Sequence, residues 1–222
     1  MTRISQPFEE GSFQRILQRS SPRIAVFVSG GGTNLQALID AQKEGKLAGG
    51  EISLVVSTKS GVLALERAEK AGIKTITIEK KQYADIGQWD SALKNALSEN
   101  KIDFVVLAGF LSILGPLVLQ SYENRIINVH PALIPSFCGK GFYGLRVHEA
   151  VLEYGVKVTG ATVHFVNNVV DGGKIILQKA IDVLPGDTPE TLQQRVMREG
   201  EWELLPKAVA MFCRGELCGN RS

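Results

Sequence analysis

The sequence predicts an α/β fold: a predominantly parallel, doubly wound (Rossmann-like) sheet with an antiparallel C-terminal extension. Three observations predict it. Short β-branched apolar runs alternate with amphipathic stretches between residues 23 and 129. The first of those runs ends in three glycines that lead directly into a helical pattern. After His130 the rhythm changes to two alternating runs joined by a glycine-containing connection.

The elements follow in order. Residues 23–29 (RIAVFVS) read as a buried parallel strand, short, β-branched and stopped by Gly30, Gly31 and Gly32. Residues 34–47 place Leu35, Leu38, Ile39 and Leu47 at roughly helical spacing. A strand over 52–57, a helix over 62–71 closed by Gly72 and a strand over 75–78 come next. A helix over 86–99 precedes the strongest strand, 104–108. A shorter helix follows Pro116, and residues 126–129 add a further strand. The loop 131–146 then leads to a helix near 147–154. Residues 159–166 alternate as a strand, and residues 174–183 read as its antiparallel partner. Thr188 caps a last helix, Pro189 suits its first turn, and the amphipathic spacing runs over 191–215. Residues 1–22 read as a mobile polar extension with a short helix over 12–18, residues 23–215 as the folded domain, and residues 216–222 as a tail.

Composition narrows the class. A chain of 222 residues, 44% hydrophobic and 22% charged, suits one compact domain with small additions. A formal net charge of +2 gives no bulk electrostatic reason to expect nucleic acid or a membrane. No apolar run approaches the roughly 20 residues that cross a bilayer, and the N-terminus lacks the apolar core of a secretory signal. Cys138, Cys213 and Cys218 are odd in number and lack paired metal-ligand spacing, so they read as reduced cytoplasmic thiols. His130, His148 and His164 are scattered without matched cysteine or carboxylate spacing, which argues against a metal site.

The chemistry concentrates in a few segments. Alternate side chains of a strand share a face, so Asn128 and His130 project together where a strand ends at Pro131. That is the carboxyl edge of the sheet, where open α/β folds build their sites; alone, the pattern also describes a strand exit with a surface histidine. Ser29-Gly30-Gly31-Gly32-Thr33-Asn34 joins strand to helix, and glycines there let backbone amides approach an anion. It is no P-loop, since no lysine precedes Thr33, and no dinucleotide fingerprint, since Leu35 stands where a glycine is needed. A phosphate monoester suits it; a tight turn capped by Thr33 or Asn34 is the plainer reading. Asp171 beside Gly172 and Gly173 is either a hairpin-turn residue or a carboxylate folded over His130, where it favours imidazolium. Thr162 and His164 share a strand face and read first as satisfied sheet residues, second as support for His130. His148 reads as a helix-start residue that caps or faces solvent. Phe110, Leu111, Ser112, Ile113 and Leu114 continue a strand into an unusually apolar loop, either core or a platform for a flat aromatic ligand such as a pterin.

With VSGGGTNLQ, LAGF, NVHPALIP and VDGG in that order, the chain resembles the phosphoribosylglycinamide formyltransferase family over roughly residues 23–212. The resemblance implies the formyltransferase fold. It also implies transfer of a formyl group from 10-formyltetrahydrofolate, as cosubstrate, to the amine of glycinamide ribonucleotide in purine synthesis. It implies a cytoplasmic monomer or homodimer without metal, nucleic-acid or membrane partners. Asn128, His130 and Asp171 correspond to the family's catalytic trio, and Gly32, Thr33 and Asn34 to its substrate-phosphate loop. Phe110 to Leu114, the segment before Asp171 and Asn128 correspond to its folate pocket, and Glu201 to its ribose contact. No covalent enzyme intermediate is implied, so Cys138 is expected to be a loop thiol.

Some features depart from the family pattern. The loop 136–146 is longer than in some relatives, with Cys138-Gly139-Lys140-Gly141 inserted. Gly200 is an extra residue before Glu201, and Trp202 stands where many relatives have histidine. Two related activities differ in layout. The methionyl-tRNA formyltransferase shares an N-x-H-P element but adds a C-terminal nucleic-acid-binding domain, whereas this chain ends about 90 residues after His130. Formyltetrahydrofolate hydrolase has an N-terminal regulatory domain longer than 22 residues. A reading from another class is a non-catalytic protein that binds folate and phosphate.

Overall fold

The computed structural model describes residues 21–217; the short helix expected over 12–18 and Cys218 lie outside them. The elements in chain order are β1 (Arg23–Val28), α1 (Thr33–Lys43), β2 (Glu51–Ser57), α2 (Leu63–Lys70), β3 (Thr75–Thr77), α3 (Ile86–Glu99), β4 (Phe104–Leu107), α4 (Pro116–Ser121), β5 (Ile126–His130), α5 (Leu145–Tyr154), β6 (Val158–Phe165), β7 (Ile175–Asp182), α6 (Pro189–Val196) and α7 (Trp202–Cys213). One seven-stranded sheet has the order β3-β2-β1-β4-β5-β6-β7. Pairings from β3 through β5 are parallel, and β5–β6 and β6–β7 are antiparallel. The order reverses direction between β1 and β4, the switch point at which open α/β sheets leave a crevice beyond their carboxyl ends.

Strand alternation divides the core into two layers. Ile24, Val26 and Val28 of β1 and Phe104 and Val106 of β4 face a layer that includes Leu35 and Leu38 of α1, Ala64 of α2, Val151 of α5, Val196 of α6 and Val209 of α7. Ala25 and Phe27 of β1 and Val105 and Leu107 of β4 face the other layer, covered by Trp89, Leu93 and Leu97 of α3 and Val118 of α4. Two helices therefore cover one face and five the other. On the thinly covered face, Ile126 begins a row that continues through Asn128 and His130. The apolar layer gives way to polar side chains where helical cover runs out.

The edge of that cover is fixed by a buried carboxylate. Asp90 of α3 is wholly buried. Its two oxygens accept from the Gly115 amide (3.1 Å) and the Leu117 amide (2.7 Å), satisfying donors at the start of α4. A Cβ at Gly115 would lie 2.3 Å from the Asp90 carboxylate, so glycine permits the close approach.

Most elements fall where the sequence places them; three readings change. The helix expected over 34–47 stops at Lys43, and Gly45 turns the chain at φ 72° so that Leu47 packs from outside the helix. The continuous helix expected over 191–215 is interrupted by a π turn over Met197–Glu201. A π turn takes in one residue more than an α-helical turn. Leu192 and Val196 are buried before it, Gly200 and Glu201 within it, and Leu204, Leu205, Ala208 and Val209 after it. Gly200 packs where a Cβ would come within 2.9 Å of Ala161 Cβ. The third change is His148, expected to cap or face solvent: it is fully buried on α5, because the helix begins at Leu145 and turns this position inward. No helix among the described residues is long and apolar enough to cross a membrane.

Asp90→Ala strands the buried Gly115 amide and the partly buried Leu117 amide at once. It should lower stability by about 1–3 kcal/mol, read as a lower urea midpoint with an unchanged m-value. A midpoint equal to that of the wild type would contradict the role given to Asp90.

Candidate active site

The β5–β6 register assembles the polar face. Asn128 pairs with His164 and His130 with Thr162, and residues directly opposite in an antiparallel pair project to the same side. Four polar side chains thus share a patch of sheet. Beside it opens a cleft of about 1090 Å³, lined by Phe110, Leu111, Ser112, Ile113 and Leu114, by Asn128 and His130, by Gly139 to Gly144, and by Val169 to Asp171. Leu111 and Ile113 are exposed in its apolar wall while Leu114 is buried beneath it. The Phe110 ring meets Phe27 edge-on at 5.3 Å.

Asp171 stands between the two imidazoles. Its Oδ2 lies 3.7 Å from His130 Nδ1 and its Oδ1 lies 3.7 Å from His164 Nε2. Both separations are too long for direct hydrogen bonds. The hydrogen-bond network assigns the ring protons. Asn128 Nδ2 donates to His164 Nε2 (3.1 Å), which leaves His164 Nδ1–H to donate to the Phe165 carbonyl (2.8 Å). His164 is thus neutral, in keeping with burial lowering its pKa. His130 Nε2–H donates to the Phe137 carbonyl (2.8 Å), so Nδ1 is the ring position that faces Asp171.

Local backbone geometry holds these groups. Asp171 has φ 55°, a left-handed conformation that aspartate tolerates better than most residues. Gly173 follows because a Cβ there would lie 1.7 Å from the Phe165 carbonyl oxygen. The Gly139 amide donates to Asp171 Oδ2 (2.8 Å). Thr162 Oγ1 donates to the Ala132 carbonyl (2.7 Å) and accepts from the Ile134 amide (3.1 Å), anchoring the start of the same loop. Two backbone groups of the 131–146 loop, Phe137 C=O and Gly139 N–H, therefore touch His130 and Asp171. Cys138 lies between them; burial, and secondarily the Asp171 charge, push its pKa up and keep it a thiol.

The glycine loop forms a second pole, outside the lining of the cleft. Gly32 caps α1 with φ 72°, and a Cβ there would lie 2.7 Å from Ala64 Cα. Neither Thr33 nor Asn34 caps the helix, which leaves its first amides available to an anion. Arg67 brings a cation to the loop: its Nε donates to the Gly31 carbonyl (2.9 Å). Asn34 Nδ2 donates to Glu201 Oε2 (2.5 Å), joining the loop to the π turn. Glu201 is buried, and that burial, partly offset by the Asn34 bond, pushes its pKa up to about 7. The two poles are linked by Ser29, whose hydroxyl accepts from the Leu111 amide (3.1 Å) and lies 3.2 Å from Thr58 Oγ1.

Residues 22–209 match the family model described as formyl transferase. This chain belongs to the formyl transferase family. It is 45% identical over 199 residues to the trifunctional purine biosynthetic protein adenosine-3 of Gallus gallus, covering 90% of this chain and 19% of that protein. It is 40% identical over 192 residues to the chloroplastic phosphoribosylglycinamide formyltransferase of Arabidopsis thaliana, covering 86% of this chain and 65% of that protein. The chain thus spans about a fifth of the first relative and just under two thirds of the second. Among solved structures, glycinamide ribonucleotide transformylase 1 from Symbiobacterium toebii superposes with a TM-score of 0.83 at 40% identity, over 88% of this chain and 89% of that one.

Within this formyl transferase, the structure brings Asn128, His130, Asp171, Thr162 and His164 together. It sets Gly32, Thr33, Asn34 and Glu201 apart from them. Sequence reasoning missed Asp90, Arg67 and the backbone groups of Phe137 and Gly139, and it placed Ser29 in the glycine loop without its bond to the Leu111 amide. Only Arg67 left a signal, as a cation on the helix after the glycine loop.

Two buried groups give opposed pH dependences. Unfolded, His148 protonates near 6.5, whereas burial, with His130 nearby, keeps it neutral down to about 4 in the fold. The unfolded chain holds the extra proton between those values, so the native state loses stability as pH falls through that window. Glu201 acts in reverse. It keeps its proton up to about 7 against 4.5 unfolded, a contribution complete below 4.5 and lost as pH rises to 7. Each amounts to about 3 kcal/mol. Glu201→Gln should therefore show a urea midpoint that drops more steeply than wild type between pH 7 and 4. His148→Leu should show one that drops as pH rises over the same range. Parallel profiles for all three proteins would refute both assignments.

Proposed function

We propose that this protein transfers a formyl group from 10-formyltetrahydrofolate to the amine of glycinamide ribonucleotide, as the names of its relatives suggest. The observation that carries the reading is Asp171 poised between His130 and His164, with Asn128 beside them at the head of the cleft. The cleft suits the folate: an apolar wall from Phe110 to Leu114 faces polar backbone around Val169 and Val170. The glycine loop, with Arg67 at its side, suits a phosphate monoester, and Glu201 suits the ribose end. The proposal extends to a reducing, cytoplasmic setting.

The amine nitrogen attacks the formyl carbon, and its carbonyl oxygen gains negative charge as the carbon becomes tetrahedral. Asn128 Nδ2 has a second hydrogen beyond the one given to His164, and donates it to that oxygen. His130 donates from Nδ1. With Nε2–H committed to Phe137, a proton on Nδ1 makes the ring cationic, and Asp171 is the counter-charge facing it. A water on the cleft side of the Nδ1 and Oδ2 pair, which lie 3.7 Å apart, carries the amine proton to the folate nitrogen as its bond to the formyl carbon breaks.

The test is to mix the protein with both substrates and follow release of tetrahydrofolate by absorbance. Release that requires the amine supports the reading; release without the amine would make the protein a hydrolase, and no release would end the proposal. His130→Ala and Asp171→Asn should each lower kcat by ~10²–10⁴ while leaving folate binding largely intact. Asparagine also tolerates the left-handed backbone at position 171, so that variant tests the charge. Activity within about tenfold of wild type at either position would count against the assignment.

A further inference from the structure

We infer that Lys140 recognises the glutamyl carboxylates of the folate donor; this rests on the function proposed above. A folate is apolar and aromatic along most of its length and carries its negative charge on the glutamyl tail. The wall that suits its aromatic part, Phe110 to Leu114, offers no cation. Among the residues lining the cleft, the lysines are Lys140 and Lys174. Lys174 already has a partner within the fold. Lys140 is exposed and has no hydrogen-bond or ion-pair partner among the described residues.

The loop presents that charge from a fixed position. Gly139, immediately before it, is tied through its amide to Asp171 Oδ2 (2.8 Å). Gly139 and Gly141 take φ 89° and 99°, so the chain turns sharply on both sides of the lysine. Phe137 and Phe142 meet edge-on at 6.4 Å and brace the turn. The other nearby cation, Arg146, is stacked over Tyr143 at 5.1 Å. Of the cleft's carboxylates, Asp171 is engaged by Gly139, and Glu123, just after α4, lines the cleft. The substrate phosphate has its own cation, Arg67, at the other pole. The inserted Gly-Lys-Gly segment therefore supplies a counter-charge for the donor, and its preference should grow with the number of glutamates.

The experiment uses the full chain with 10-formyltetrahydrofolate bearing one or three glutamates and with the pteroate analogue that lacks them. Lys140→Ala should raise the KM for the monoglutamate about threefold to fivefold, and more for the triglutamate, with kcat and the KM for the amine unchanged. Lys140→Glu should raise it further, and Lys140→Arg should restore it. The wild-type KM should climb with added salt while that of Lys140→Ala stays flat. The pteroate KM should be the same for all four proteins. An equal change with pteroate would assign Lys140 to loop packing, and no change with any donor would overturn the inference. Fluorescence titration of the same donors separates the two claims: discrimination in binding without formyl transfer would sink the proposed reaction and keep the lysine's role.

Discussion

The site depends on one constraint, the register of β5 against β6. Because side chains alternate along a strand, a slip of β6 by one residue would turn Thr162 and His164 toward the heavily covered face and leave Asn128 and His130 without them. That face is packed by five helices and has no room for them. In the observed register they emerge on the face covered by α3 and α4 alone, just past the point where that cover ends. The antiparallel β6 matters as much as the parallel core, since it supplies two of the four side chains and leads into the turn that brings Asp171 back over them. Asp90 fixes where α4 begins, and so where the apolar wall of the cleft stops.

The polar face is costly to a fold of this size, and the structure limits the cost through hydrogen bonds. Nearly every polar atom of the patch has a partner, much of it backbone: Phe165 and Phe137 carbonyls for the two histidines, Gly139 for the aspartate, Ala132 and Ile134 for Thr162. Each such bond removes a desolvation cost of about 1–3 kcal/mol. Left-handed backbone at non-glycine residues occurs away from the site at Ala48 and Lys101, at the rim of the cleft at Asn124, and within the site at two positions. Asp171 and Phe137 take φ 55° and 50°, conformations that cost about 1–3 kcal/mol each and persist where surroundings over-determine them. Elsewhere some costs stand without compensation. Among the described residues, both ring nitrogens of His148, Asn34 Oδ1, Thr159 Oγ1 and Trp202 Nε1 are buried without partners, and the first of these keeps the His148 ring neutral.

Much of this was legible in the chain. Hydrophobic periodicity located the parallel strands, their intervening helices and the antiparallel pair, because each pattern reflects which face a segment buries. The strand rule alone placed Asn128 and His130 side by side, and glycine chemistry marked both turns. What escaped has a common cause. Asp171 could be singled out but not brought to His130 from the sequence, because their meeting depends on the β6 register and on a left-handed turn. His148 was misread since its helix starts earlier than its polar neighbours suggest, which rotates it inward. The π turn was visible only as an extra residue, Gly200, inside a spacing that read as one continuous helix. Backbone contributions from Phe137 and Gly139 leave no trace in side-chain patterns at all.

The central claim is that Asp171 acts through His130 upon a single reacting carbon. The most direct measurement is kcat for the combined His130→Ala, Asp171→Asn variant against each single one, a double-mutant cycle on the formyl-transfer step. If the two groups work as a unit, the combined loss should lie within about tenfold of the larger single loss, since removing the carboxylate costs little once its imidazole is gone. Losses that multiply would show two independent groups and contradict the account.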